Sequence, residues 1–368
     1  LGNVNSEGFD AMNQTAVASN KPVNGLWFVF WVAILVYLPT LLTERTLFGI
    51  PLTNTQLLNL GLTQINLMLI SMLGALSLNY LTGCAGLISI GHAAFFATGA
   101  MAAAIFDNQL GLPFPLVLLA AALAGALAGT LAGLPSLRVR GLYFVLSTLA
   151  VHYVVTYIFL EYQFKFFDVV GIPYATPQIG SIEINTPVRW YALLLPLVIL
   201  VYVGLKASLK SREGRAILAM RDHELAATAM GVDVRILRLK AFGLSSAIAS
   251  VAGALFAYYL SNVTSEAFNI NFAIQFIAMI IIGGMGSLPG SLVGAAIWLL
   301  LPSIIGGLSP DASSENAFLS KLLVENRAQL VQLIFSILVI VFLIFAPGGV
   351  AGLGTSLKNR WTAWRNTP

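Results

Sequence analysis

Long apolar runs separated by short polar breaks dominate the chain. A helix that crosses a bilayer needs about 20 mostly apolar residues. Ten segments approach that length: 25–43, 57–81, 84–106, 113–134, 141–160, 189–205, 241–261, 271–284, 290–306 and 328–346. The pattern predicts an all-α polytopic membrane protein with eight to ten transmembrane helices. The range comes from the eighth and ninth segments, which are short and joined by Gly283-Gly-Met-Gly-Ser-Leu-Pro-Gly290. They read either as two spans or as one broken, re-entrant pair. Irregular backbone at membrane depth survives only where protein or a water-filled path covers it. Residues 1–24 are polar and Asn-rich, without the basic region and small-residue cleavage site of a signal peptide. They read as a cytoplasmic tail before a retained first span. Residues 25–346 then form the transmembrane domain, and 347–368 a basic cytoplasmic tail.

Composition agrees with that division. Of 368 residues, 58% are hydrophobic and 9% charged, against about 25% charged in soluble domains. Mean hydropathy is +0.87. The net charge of +4 is better explained by Lys- and Arg-bearing cytoplasmic loops than by nucleic acid. Residues 206–240 hold Lys206, Lys210, Arg212, Arg215, Arg221, Arg235, Arg238 and Lys240. Arg138 and Arg140 follow the fourth span, and Lys358, Arg360 and Arg365 lie in the tail. The 161–188 loop instead sets Lys165 against Glu161, Asp168 and Glu183, and the 307–327 loop sets Lys321 and Arg327 against Asp311, Glu315 and Glu325. Ten spans with both termini in the cytoplasm put every basic loop inside. Small residues such as Gly125, Ala126, Gly129 and Gly133 let spans approach closely.

Two stretches carry candidate chemistry. Residues 211–240 are too polar to span, yet Ile217, Leu218, Leu225, Ala226, Ala229 and Met230 recur near helical spacing, and Gly231 ends the pattern. This predicts a short amphipathic helix able to dock in a partner's groove, or else a basic loop that only sets topology or touches anionic lipid. Residues 82–100 contain Gly83, Gly86, Ser89, Gly91 and Gly99, which lower helix propensity. Such a stretch either unwinds to offer backbone groups to a substrate or serves tight packing. Gly86, Ser89, Gly91, His92, Gly283, Gly284 and Gly286 are the candidate translocation-path residues. His92 and His152 are ionisable groups inside spans, for which a neutral imidazole bonded to a neighbouring helix is the plainer reading. Cys84, the single cysteine, excludes an intrachain disulfide and reads as a small packing residue.

Several classes find no support. There is no GxxxxGK[ST] phosphate loop, and no HExxH or paired-Cys spacing for a metal. An ion-coupled secondary transporter would place carboxylates near mid-span, where the sequence has almost none, although sodium coupling through backbone carbonyls stays open. A membrane-embedded enzyme would need convergent catalytic groups, and none is seen.

The chain resembles the branched-chain amino acid ABC permeases of the LivM type. Glu224-Leu-Ala-Ala-Thr-Ala-Met-Gly231 is similar to the EAA-type loop of ABC-importer permeases, and the wider stretch RAILAMRDHELAATAMGVDVRILRLKAFGLSSAIASVAGALFA is similar to LivM-type chains. Three further segments agree: TGCAGLISIGHAAFFATGA at 82–100, RGLYF at 140–144 with TLA at 148–150, and GGMGSLPGSLVGA at 283–295. The chain departs from the general permease pattern at Lys240-Ala-Phe-Gly-Leu, at Ser250 where Gly is more typical, and around Asp168 to Ile172. The resemblance implies an ABC-importer permease fold in a bacterial inner membrane. It makes the loop a coupling helix docked on a separate ATPase, with Arg221, Glu224, Ala226, Ala227 and Gly231 as its candidate residues. It implies ATPase subunits, a second homologous permease and a periplasmic substrate-binding protein as partners. No cofactor is expected on this chain, ATP and Mg²⁺ being used by the partner. The cargo is left open among branched-chain or other hydrophobic amino acids, urea and short amides.

Overall fold

The computed structural model describes residues 46–47, 50–51, 61–139, 141–167, 171–307, 327–346 and 348–352. The expected first span at 25–43, most of the 307–327 loop and the tail beyond 352 lie outside the described residues. Residues 1–54 form one compact unit and 55–368 another. In the first, β1 (Thr46–Leu47) pairs antiparallel with β2 (Ile50–Pro51).

The second unit is helical. Its apolar helices are α1 (Leu62–Leu78), α2 (His92–Ala104), α3 (Phe114–Gly133), α4 (Leu142–Phe166), α5 (Pro187–Lys210), α8 (Val234–Leu260), α9 (Ile270–Gly283), α10 (Leu288–Gly307) and α11 (Arg327–Phe345). Between α5 and α8 lie the short α6 (Arg212–Asp222) and α7 (Glu224–Ala229). Among the described residues five helices are long and apolar enough to cross a bilayer: Leu62–Cys84, which adds a widened turn to α1, and α3, α4, α5 and α8. Polar residues in the breaks start the helices. Thr186, Ser211, Asp233 and Asn269 each accept a backbone N–H from the first turn of α5, α6, α8 and α9, a favourable use of helix-start donors that lack intrahelical partners.

Packing separates inner from outer helices. In their most apolar stretches α1 and α8 are each 72% buried, but α4 is 22% and α5 17%, so α8 and α1 form the centre. Small residues set the contact. A side chain on Gly99 would strike the Ser250 backbone, one on Gly125 would strike Ser246 and Ser250, one on Gly129 would strike Ser246 and Phe242, and one on Gly253 would strike Phe96. Backbones of α2, α3 and α8 therefore nearly touch, the geometry by which helices associate where lipid removes the hydrophobic drive. Ser250 uses the space by donating to the Ala121 carbonyl at 2.6 Å. On the far side of α3, Leu119, Leu123, Leu127 and Leu131 are all exposed, an apolar stripe at helical spacing suited to lipid.

At one end, residues 171–186 fold into short strands. β3 (Ile172–Pro173) pairs with β6 (Asn262–Val263), and β4 (Gln178–Ile179) with β5 (Ile182–Glu183). Tyr174 is buried there and donates to the Ala100 carbonyl at 3.0 Å. Burial, with smaller contributions from Tyr162 and Asp107, raises its phenol pKa, so it stays a donor.

Three expectations change. The span expected at 84–106 begins as a helix only at His92, because residues 85–91 run irregularly between α1's widened turn and α2. Gly86 there has φ +72°, a conformation that L side chains rarely adopt. The single docking helix is two helices that change direction at His223, whose backbone is extended. The eighth and ninth segments form an antiparallel pair, α9 and α10, closed by a turn at 284–287. At about 1.5 Å per residue, the 14 residues of α9 cover less than the ~30 Å hydrocarbon layer.

Candidate functional site

The site is built around α6 and α7. The α6 helix buries Gly214, Ile217 and Met220. Lys240 at the start of α8 bonds the Glu213 carboxylate. Ala227 is the buried residue of α7. Glu224 turns back to Arg238 of α8, with Oε2 2.7 Å from Nη2 and little exposure of either side chain. Three of the sequence-derived docking residues therefore have distinct positions: Glu224 ties α7 to α8, Ala227 packs inward, and Ala226 lies on the open face. Beside Ala226, Leu225 and Met230 are 80% and 86% exposed. Gly231, φ +83°, ends the element with open space around its Cα. Residue-by-residue matching passed over Leu225 and Met230, although their apolar spacing was visible.

Arg221, at the end of α6, links this loop to both glycine-rich segments. Its side chain lies over Gly86, where an added Cβ would meet Cγ at 3.1 Å, and over Gly286, where one would meet Nη1 at 2.8 Å. Gly286 in turn packs against Gly83. One side chain holds this crossing. The Asn79 amide donates to the Ser287 carbonyl at 2.8 Å, and its Oδ1 accepts from Gly286 N–H at 2.8 Å. Asn79 thus satisfies both backbone groups of a turn that would otherwise be buried unpaired. No motif pointed to Asn79. The signal was a lone amide in an apolar run, five residues before Cys84.

The other path candidates sit elsewhere. Gly283 meets Gly290 backbone, and Gly284 meets Gly348. Gly91 faces the Thr148 carbonyl, and the neighbouring Ile90 N–H donates to Thr148 Oγ1 at 3.3 Å. Ser89 is fully buried with no hydrogen-bond partner for its hydroxyl among the described residues. His92 is buried among the rings of Phe95, Phe96 and Phe276, its Nε2 2.9 Å from Ser77 Oγ. The one hydroxyl proton of Ser77 goes to the Gly74 carbonyl. His152 is buried on α4, and Cys84 lies 3.8 Å from the Gly286 carbonyl. Among the described residues no three His, Cys, Asp or Glu side chains converge as a metal site would require.

The comparisons follow this geometry. The family described as branched-chain amino acid transport system / permease component matches residues 61–347. The chain is 29% identical over 240 residues to the high-affinity branched-chain amino acid transport system permease protein LivM of Escherichia coli, covering 58% of this chain and 56% of that protein. Its Salmonella typhimurium counterpart matches to the same extent. A probable LivM of Methanocaldococcus jannaschii is 26% identical over 159 residues, 43% of this chain and 45% of that protein. The matches thus span about half the length of these relatives. No solved structure matches the chain. With its polytopic helical fold and a match over most of its length, the chain belongs to the branched-chain amino acid transport permease family.

Proposed function

We propose that this chain is a permease subunit of an ATP-driven ABC importer that moves branched-chain or other hydrophobic amino acids across a bacterial inner membrane. The observation that carries the reading is the build of α7. It is anchored to α8 by Glu224–Arg238, yet turns Leu225 and Met230 outward. Two large apolar side chains, Leu225 on the six-residue α7 and Met230 at its C-cap, are poor lipid anchors and good pegs for a groove on an ATPase. Arg221 supplies the mechanical link, because displacing α6 moves its guanidinium against the Gly83–Gly286 crossing. The helix pair α1–α2 and the pair α9–α10 reverse at that crossing, so one push reaches both.

Orientation follows from charge. Arg212, Arg215 and Arg221 lie on α6, at the end of α5 away from the Tyr174 loop, and the basic end faces the cytoplasm. Parity is the same whether α9 and α10 cross separately or as one re-entrant pair, so with the 25–43 segment as a span both termini lie inside. ATP and Mg²⁺ belong to the ATPase subunits, a second permease completes the pathway, and a periplasmic binding protein delivers cargo to the opposite face. Transport then proceeds by alternating access between two arrangements of the helices.

The test is the L225E/M230E double variant, reconstituted with its ATPases, second permease and binding protein. Charges on the peg should abolish docking, lowering ligand-stimulated ATPase activity at least tenfold, about 1.4 kcal/mol of coupling, while the permease still reaches the membrane. Unchanged stimulation and uptake would reduce α6–α7 to a basic loop that sets topology.

A further inference from the structure

The packed glycines leave open which surface the cargo touches. A cavity of about 280 Å³ lies between α9, α10 and α11, lined by Asn271, Gln275, Trp298, Gln332, Phe335 and Ser336 among others. That is close to the ~300–1,000 Å³ of small-molecule sites. Its polar groups descend in two rows, Asn271 and Gln275 on α9 facing Gln332 and Ser336 on α11. Ser336 is nine residues into α11, about 13 Å from its start and so near mid-bilayer. Among the described residues the side chains of Asn271, Gln275 and Gln332 have no hydrogen-bond partner, and Ser336 only bonds back to the Gln332 carbonyl. Asn271, Gln332 and Ser336 are exposed. Unpartnered amides are costly against hydrocarbon and belong on a water-filled path.

We infer that this groove is the chain's share of the translocation path, taking a zwitterionic amino acid with an aliphatic side chain; the inference rests on the importer reading above. The amides and the hydroxyl both donate and accept, so together they serve a carboxylate and an ammonium. Trp298 and Phe335, in edge-to-face contact with ring centroids 4.1 Å apart, form the apolar wall for the side chain. No charged residue lines the cavity. A lysine or glutamate side chain would bring a third charge with nothing to pair it.

Single cysteines in a Cys84→Ala background test the assignment in the complete reconstituted importer. Ser336→Cys faces the groove, and Val341→Cys lies on the opposite side of α11. A membrane-impermeant, charged thiol reagent should modify Ser336→Cys at least tenfold faster than Val341→Cys. Excess leucine should slow the Ser336→Cys reaction several-fold, and excess lysine should leave it unchanged. Equal, slow modification of both positions in a complex that still imports leucine would overturn the assignment. So would a disulfide from Ser336→Cys to a cysteine introduced in the second permease with no reagent access, which would make the groove a subunit interface. Equal slowing by leucine and lysine, or by neither, would overturn the class of cargo. A complete unsubstituted complex unable to import leucine with ATP would overturn the importer reading, and the groove with it.

Discussion

At the scale of single residues, polar side chains hold the crossing and the peg. Asn79 uses donor and acceptor at once on the 286–287 turn, so Asn79→Leu leaves a buried N–H and C=O unpaired. The expected cost is about 2–3 kcal/mol for two groups, measured as a lower thermal midpoint of the purified permease. Uptake should fall with it, because the crossing under Arg221 loosens. Glu224→Gln removes the charge facing Arg238. Hydrogen exchange of residues 224–230 should accelerate about tenfold, reporting local opening of α7, with exchange in α8 unchanged. The sequence singled out Glu224 from its resemblance to other permease loops, but it did not give the direction of the side chain. Whether a carboxylate faces a partner or its own chain depends on where α8 places Arg238, which no local pattern encodes.

At the scale of elements, glycine positions decide which helices meet. A side chain on Gly91 would overlap the Thr148 carbonyl of α4. Gly91→Leu should therefore destabilise the α2–α4 contact by about 1–3 kcal/mol, the usual penalty of overpacking, seen as reduced folded yield in detergent. Gly91→Ala should be milder, and equal behaviour of Leu and wild type would show that this surface faces lipid. The apolar runs were legible because a span demands length and hydropathy, both local properties. The break at 85–91 was less so. Glycines lower helix propensity by about 1 kcal/mol each, which is too little to say whether a segment packs as helix or unwinds. The outcome rests on the widened turn after α1, where Leu81 and Thr82 bond Leu87, and on Thr148 of α4, which bonds Ile90.

For the whole molecule, the proposed orientation rests on charge and parity. Cysteines at 225 and 175 in a Cys84→Ala background should label from opposite sides of the membrane, 225 from the cytoplasm. Labelling from the same side would remove the ten-span arrangement and the assignment of α6–α7 to the ATPase. In the proposed arrangement the groove's polar rows run from the face opposite α6 and α7 toward mid-bilayer.

The sequence by itself determined that this chain is a helical membrane protein with long apolar segments and which loop is basic. Each follows from transfer energetics, in which every residue contributes whatever its neighbours are. It also determined the family, through motifs with distinct local spacing. Only the tertiary structure decided that Arg221 reaches Gly86 and Gly286 together, that Asn79 fastens the turn 207 residues away, and that the glycines face backbone while four polar side chains of α9 and α11 face a groove. Those facts depend on contacts between distant segments. Such contacts form where small residues allow approach and where buried polar groups find partners, and neither condition can be read from one stretch of chain alone.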